Sequence, residues 1–160
     1  MDYLLPGDIL ITRNLLEEDN QSIGYWNHVS IYVGDDKIVE AQSAPYNKVI
    51  QSDLSEFFSR YPYILIIRHP EGRVAANQAI KYVGLPYRMA ASVFRHLRRS
   101  RRGENCVSVV RKSYFKVYGR DPDWKSPDSL VWDALYNKQE FELEIVHEKP
   151  DDSWRGIWTE

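Results

Sequence analysis

Cysteine is nearly absent: Cys106 is the sole one in 160 residues, which excludes an intramolecular disulfide and a cysteine-rich zinc site. An excess of one charge is missing too. With 21 Lys and Arg against 23 Asp and Glu, the formal net charge is −2, so there is no global pull toward nucleic acid or an anionic membrane. No apolar run approaches the ~18 residues of a membrane-spanning helix, no repeat of solenoid or propeller period is present, and no Gly/Ser-rich or Pro-rich linker divides the chain. The N-terminal MDYLLPGDILITRN carries Asp2 where a secretory signal would carry positive charge, and Pro6, Gly7 and Asp8 interrupt its apolar stretch. It is expected to be mature sequence, and the cytoplasm, where a lone thiol stays reduced, is the expected location. What is present, 43% hydrophobic and 13% aromatic residues, argues against disorder. A chain of this length buries roughly 70% of its unfolded surface, enough for one core, so one domain spanning residues 1–160 is expected.

Pro6-Gly7 marks a turn, after which Asp8–Thr12 reads as a short buried strand. A polar loop follows to Asn27. From His28 to Val33 the sequence alternates, with His28, Ser30 and Tyr32 on one face and Val29, Ile31 and Val33 on the other. Lys37–Ala41 returns as a second strand. Lys48–Gln51 predicts a third, followed by a short helix capped by Ser52 or Asp53, and Tyr63–Arg68 predicts a fourth in a β-branched run. Glu71–Val83 predicts a helix burying Ala75, Ala76, Ala79, Ile80 and Val83, stopped by Gly84 and Pro86. Further helices are expected over Met89–Leu97, over Cys106–Tyr118 with a cap from Glu104-Asn105, and from Ser126-Pro127 through Leu135. Phe141–Val146 reads as a last strand. Strands concentrated early and helices late predict an α+β domain with an antiparallel sheet, or a partial barrel, packed against helices.

Cys106, at the predicted first turn of a helix, sits where the helix dipole stabilises a thiolate. A thiol nucleophile needs a base, normally histidine, and a third group that fixes the imidazole. His28, His69, His96 and His147 are the candidates, and His28 stands apart because it opens the polar face of an amphipathic strand. A two-residue Asp35-Asp36 turn would put Glu40 on the apolar face. A three-residue Gly34-Asp35-Asp36 turn pairs Val33 with Lys37, Ile31 with Val39, Tyr32 with Ile38, Ser30 with Glu40 and Val29 with Ala41, and sets Glu40 diagonally beside His28. Taken singly, a helix-start cysteine is most often a small buried hydrophobe, and a His and Glu on adjacent strands an ordinary surface pair. Their conjunction is what a Cys-His-Glu site requires.

The string HVSIYVGDDKIVEA (His28–Ala41), an upstream PGDIL and a much later cysteine on a helix resemble the circularly permuted, NlpC-type branch of the papain-like superfamily. Within it the chain is most similar to the YiiX/YaeF-like permuted amidases, with lecithin:retinol acyltransferase-like enzymes more distant. GLPY (Gly84–Tyr87) and SPDSL (Ser126–Leu130) are similar to segments of the YiiX-like proteins. The resemblance implies a permuted papain-like fold, with His28 as base, Glu40 as third polar residue and Cys106 as nucleophile. Val107 and Ser108 follow the cysteine where that family has Ser-Glu, and Arg88 stands where it has an acidic residue.

The expected mechanism is attack by a Cys106 thiolate on an acyl carbon, with His28 passing protons and Glu40 orienting it. The Cys106 backbone N–H is the expected oxyanion donor, with Asn27 or Tyr87 as candidate second donor or pocket residue. No metal or organic cofactor is expected, because no His-Glu-x-x-His-like spacing occurs. The resemblance implies a peptide or cell-wall-type amide substrate, and alternatively acyl transfer or ester hydrolysis on a lipid. A catalytically silent binding module on the same fold is a third reading. The basic run RHLRRSRR leaves Arg98, Arg99 and Arg101 as candidate contacts to an acidic substrate, or a solvated loop balanced by the acidic tail from Glu140 to Asp152. No nucleic-acid or membrane partner is indicated. Trp154 and Trp158 are expected to pin the tail or to roof the cleft.

Overall fold

The computed structural model describes residues 4–13, 24–61, 63–87 and 104–149. The predicted helix over Met89–Leu97, the basic run, and Trp154 and Trp158 lie outside them.

The alternating and uniformly apolar segments form one six-stranded sheet of strands β1 (Ile9–Arg13), β2 (His28–Gly34), β3 (Lys37–Gln42), β4 (Lys48–Asp53), β5 (Tyr63–Arg68) and β6 (Glu144–Lys149). Their spatial order is β4-β3-β2-β1-β5-β6, with every neighbouring pair antiparallel. The sheet is open, not a partial barrel. β1 lies inside it and is buried from Ile9 through Thr12, because helices cover both faces. On one face α1 (Leu54–Arg60) sets Leu54, Phe57 and Tyr61 against Leu10, Tyr32, Ile38, Ile64 and Ile66. On the other, α2 (Gly72–Ala79), α3 (Cys106–Tyr118) and α4 (Pro127–Tyr136) cover Ile9, Ile11, Val29, Ile31, Val39 and Ile67. This double cover explains why β1 reads as an uninterrupted apolar run.

The β2–β3 hairpin corrects the expected turn. Gly34 pairs with Lys37, so the loop is Asp35-Asp36, and one extra residue is accommodated between Tyr32 and Gly34 as a bulge. Asp35 and Asp36 have φ of 51° and 53°, the left-handed pair that a two-residue turn needs to match strand twist. The bulge restores the register Ile31↔Val39 and Tyr32↔Ile38 that the three-residue turn would have produced. The ladder stops at Ile31↔Val39, so the expected pairs Ser30–Glu40 and Val29–Ala41 are not made and the strands part toward His28.

Two further boundaries differ. The helix beginning at Gly72 ends as α-helix at Ala79 and tightens into a 3-10 turn over Ile80–Tyr82. Ala75, Ala76 and Ala79 are buried as expected, but Ile80 and Val83 are exposed. Phe141, expected to open a strand, instead closes the short helix α5 (Lys138–Phe141), its ring buried beside Trp124 and Tyr118. The last strand begins three residues later, at Glu144.

Candidate active site

His28 is the first residue of β2, and Glu40 lies on β3 on the face shared by Tyr32 and Ile38. The two side chains meet directly, with His28 Nε2 2.9 Å from Glu40 Oε2. Glu40 is 1% exposed, and its other oxygen, Oε1, accepts from Ser52 Oγ at 2.6 Å and from an Arg60 terminal nitrogen at 2.5 Å. Burial alone would push this carboxyl up. The hydrogen bond and charge of His28, the Ser52 hydroxyl and the Arg60 guanidinium outweigh it and hold the pKa at about 2. Tyr61 stacks on the imidazole with ring centroids 5.6 Å apart and planes 20° apart, which fixes the plane of the ring.

Cys106 is the first residue of α3. Asn105 caps that helix: its side chain accepts from the Ser108 N–H at 2.7 Å, while Ser108 Oγ accepts from the Asn105 N–H at 2.8 Å. This reciprocal cap settles where the helix starts, and therefore where the sulfur sits. The Cys106 thiol and the His28 ring lie near enough to shift one another's titration. Because Nε2 is taken by Glu40, Nδ1 is the nitrogen left for the thiol.

The parting of β2 from β3 adds a donor. Tyr32 N–H bonds to the Asp8 carbonyl on β1's side at 2.8 Å, so the odd-numbered residues of β2 direct their N–H groups toward β3. Val29 has no ladder partner there, and its N–H lies against the Cys106 sulfur together with that of Val107. Burial pushes the thiol pKa up, but the His28 contact and these two N–H groups outweigh it and leave the thiol below its ordinary value. Burial likewise opposes charging His28. Tyr61, Cys106 and Glu40 overcome that and hold the imidazole well above its usual pKa. Both shifts favour a thiolate facing an imidazolium.

Tyr87 is also brought to the site. Its backbone N–H donates to the Asn47 carbonyl at 2.9 Å and it bridges to Glu104. Its half-buried phenol is raised first by burial and then by Cys106, with His28 acting oppositely. Asn27 is tied to β1 through its backbone, which donates to the Thr12 carbonyl at 3.1 Å. His69 belongs elsewhere, wedged edge-on between Tyr114 and Tyr118, and His147 is on β6, in register with Ile66. His96, Arg98, Arg99 and Arg101 fall outside the described residues. Sequence reasoning missed Ser52, Arg60, Tyr61 and the Val29 and Val107 N–H groups. Alternation could have found Ser52, which pairs with Ile38 on the Glu40 face; the approach of Arg60 depends on how α1 packs.

Among the described residues, no group of three or more His, Cys, Asp or Glu is arranged to hold a metal, and no helix is long and apolar enough to cross a membrane. Neither a protein-family model nor a curated protein matches the chain. The α+β architecture, a six-stranded antiparallel sheet packed with helices, is similar to that of a solved structure described as metalloprotein YiiX from Escherichia coli O157:H7, DUF1105. The likeness has a TM-score of 0.53 at 17% identity and covers 92% of this chain and 89% of that one, so the two share a YiiX-like fold.

Proposed function

We propose that the chain is a cysteine hydrolase of the circularly permuted papain-like kind, one domain over residues 1–160, cleaving an amide bond in a peptide or cell-wall-type substrate. The observation that carries this reading is the His28 ring held at 2.9 Å by the buried Glu40 carboxylate, beside a helix-start thiol whose titration it shifts. Cys106 Sγ attacks the acyl carbon, forming an S–C bond, and the oxyanion is received by the Cys106 backbone N–H, with Tyr87 as second donor. His28 gives its proton to the departing amine as the C–N bond breaks. It then takes a proton from water, whose oxygen displaces the thiolate from the acyl thioester and releases the acid. Glu40 holds the ring for both transfers.

The YiiX structure is described as that of a metalloprotein. The donors here do not suit a cation at the same array: Glu40 Oε1 already faces the Arg60 guanidinium and Ser52, and Oε2 faces His28. No step above needs a metal.

One observation favours a lipid ester or acyl-transfer substrate as a second reading. Ile80, Val83 and Leu85 are 44%, 41% and 37% exposed, beside Lys81 and the exposed Lys48, and this apolar strip leads through Pro86 to Tyr87. A panel of peptide amides, lipid esters and simple esters tests both. Turnover of a peptide amide that vanishes in Cys106→Ser and His28→Ala supports the first reading, and turnover confined to lipid esters transfers the proposal to the second. Turnover unchanged by Cys106→Ser overturns Cys106 as the nucleophile, and turnover of no substrate overturns the enzyme and favours a silent binding module.

A further inference from the structure

A carboxylate beside a catalytic histidine carries a charge that a side-chain amide does not, and that charge bears on how readily the ring releases its proton. A full negative charge at hydrogen-bond distance favours the imidazolium, and the effect is large where water is excluded. An anion alone at Glu40 would make His28 a good partner for the thiolate and a poor acid toward the leaving group. The charged and titratable groups facing His28 are Glu40 on β3, Cys106 on α3, Tyr61 just beyond α1 and Tyr87 in the segment before Glu104. Those facing Glu40 are His28, Ser52 on β4 and Arg60 at the end of α1, with Glu56 acting on Arg60 from one turn back. Among the described residues, Arg60 is thus the sole fixed cation in this set. Its guanidinium, also over the Phe57 and Tyr61 rings at 5.8 and 5.4 Å, is held against the Glu40 oxygen that does not face the imidazole.

We propose that Arg60 is a positioning and charge-balancing residue: paired with Glu40 Oε1, it offsets part of the carboxylate's charge on His28, so that the imidazolium can surrender its proton. This rests on the Cys106–His28 reading above and deepens it. Together with Ser52, Arg60 fixes one carboxylate oxygen so that the other stays on Nε2, and it offsets part of the charge that the imidazole senses. The pair does the work of a side-chain amide while keeping the rigidity of two hydrogen bonds on Oε1.

The test is titration of the His28 ring by NMR, its signals assigned by their loss in His28→Ala, alongside turnover and Cys106 alkylation. Arg60→Met is expected to raise the His28 pKa by about one pH unit or more and to cut turnover at least tenfold while alkylation of Cys106 stays fast. Arg60→Lys, which keeps the charge, is expected to stay within about half a unit of wild type. The Glu40→Gln/Arg60→Met double variant, with neither charge left unpaired, is expected to bring the His28 pKa back below that of Arg60→Met and to recover part of the turnover. A His28 pKa unchanged or lowered in folded Arg60→Met overturns the proposal, as does a double variant no better than the single one. If wild-type Cys106 alkylates slowly and without regard to His28, the underlying hydrolase reading fails instead. Should Arg60→Met not fold, the Lys and double variants decide: a His28 pKa displaced by a full unit in Arg60→Lys overturns charge balancing.

Discussion

Replacing Glu40 by glutamine keeps the shape of the side chain and removes its titration. In the folded chain this carboxyl titrates at about 2 against an ordinary value of 4.5. Between those values the folded state holds one proton fewer than the unfolded chain. The associated stability is therefore fully present above about pH 4.5 and is lost as the pH falls toward 2. The slope approaches about 1.4 kcal/mol per pH unit, and integration between pH 5 and pH 3 gives a loss of roughly 2 kcal/mol. At neutral pH, Glu40→Gln leaves Arg60 and His28 without their carboxylate and is expected to be less stable by about 1.5–3 kcal/mol. The two stability curves, from urea unfolding at successive pH values, should then converge by about pH 3. Curves that stay parallel from pH 5 to pH 3 would refute the claim that His28, Ser52 and Arg60 hold Glu40 ionised.

Three further outcomes are expected of the scaffold. Burial lowers the His69 pKa, opposed by Glu142 and Glu71, and His69 Nδ1 accepts from the Glu71 N–H at 2.9 Å; a base that resists protonation when folded costs stability as the pH falls below about 6.5. Wild type should therefore lose stability relative to His69→Gln between pH 7 and pH 5.5, and a constant difference over that range would contradict it. Tyr114→Phe removes a buried hydroxyl that donates to the Gly7 carbonyl at 2.7 Å and should cost about 1–3 kcal/mol in urea unfolding; a loss below ~0.5 kcal/mol would show that the carbonyl finds another partner. Gly7→Ala forces a Cβ to within 2.0 Å of the Gly72 carbonyl carbon at a φ of +103°, and it should lower the thermal midpoint by several degrees. An unchanged midpoint would mean that α2 shifts without cost.

Where a single local rule dominates, the sequence was legible. The alternation HVSIYV placed His28 opposite the apolar face, and face segregation chose the register Ile31↔Val39 that the hairpin adopts. Asn105 and Ser126, each followed three residues later by a serine, mark helix starts confirmed by reciprocal caps. Legibility failed where tertiary packing overrides local preference. FELEIV alternates as a strand should, yet Phe141 is drawn into the aromatic cluster of Tyr118 and Trp124 and joins a helix. Ile80 and Val83 continue the apolar spacing of α2, but the helix tightens at Ile80 and turns them outward. At the site, Cys106, His28 and Glu40 were each readable from type and pattern. Arg60 was not, because nothing in LSEFFSR tells which neighbour the last side chain of a short helix will meet.

The central claim, a Cys106 thiolate sustained by His28, is tested most directly by the pH dependence of iodoacetamide alkylation in wild type and His28→Ala. Without the imidazolium the thiol returns toward its ordinary pKa of about 8.5 or higher. The account predicts a wild-type rate that rises less steeply with pH than that of His28→Ala, and a His28→Ala rate at least about tenfold lower at pH 6 that climbs about tenfold per pH unit. Equal rates with the same steep dependence in both proteins would contradict it and leave Cys106 an ordinary half-buried thiol.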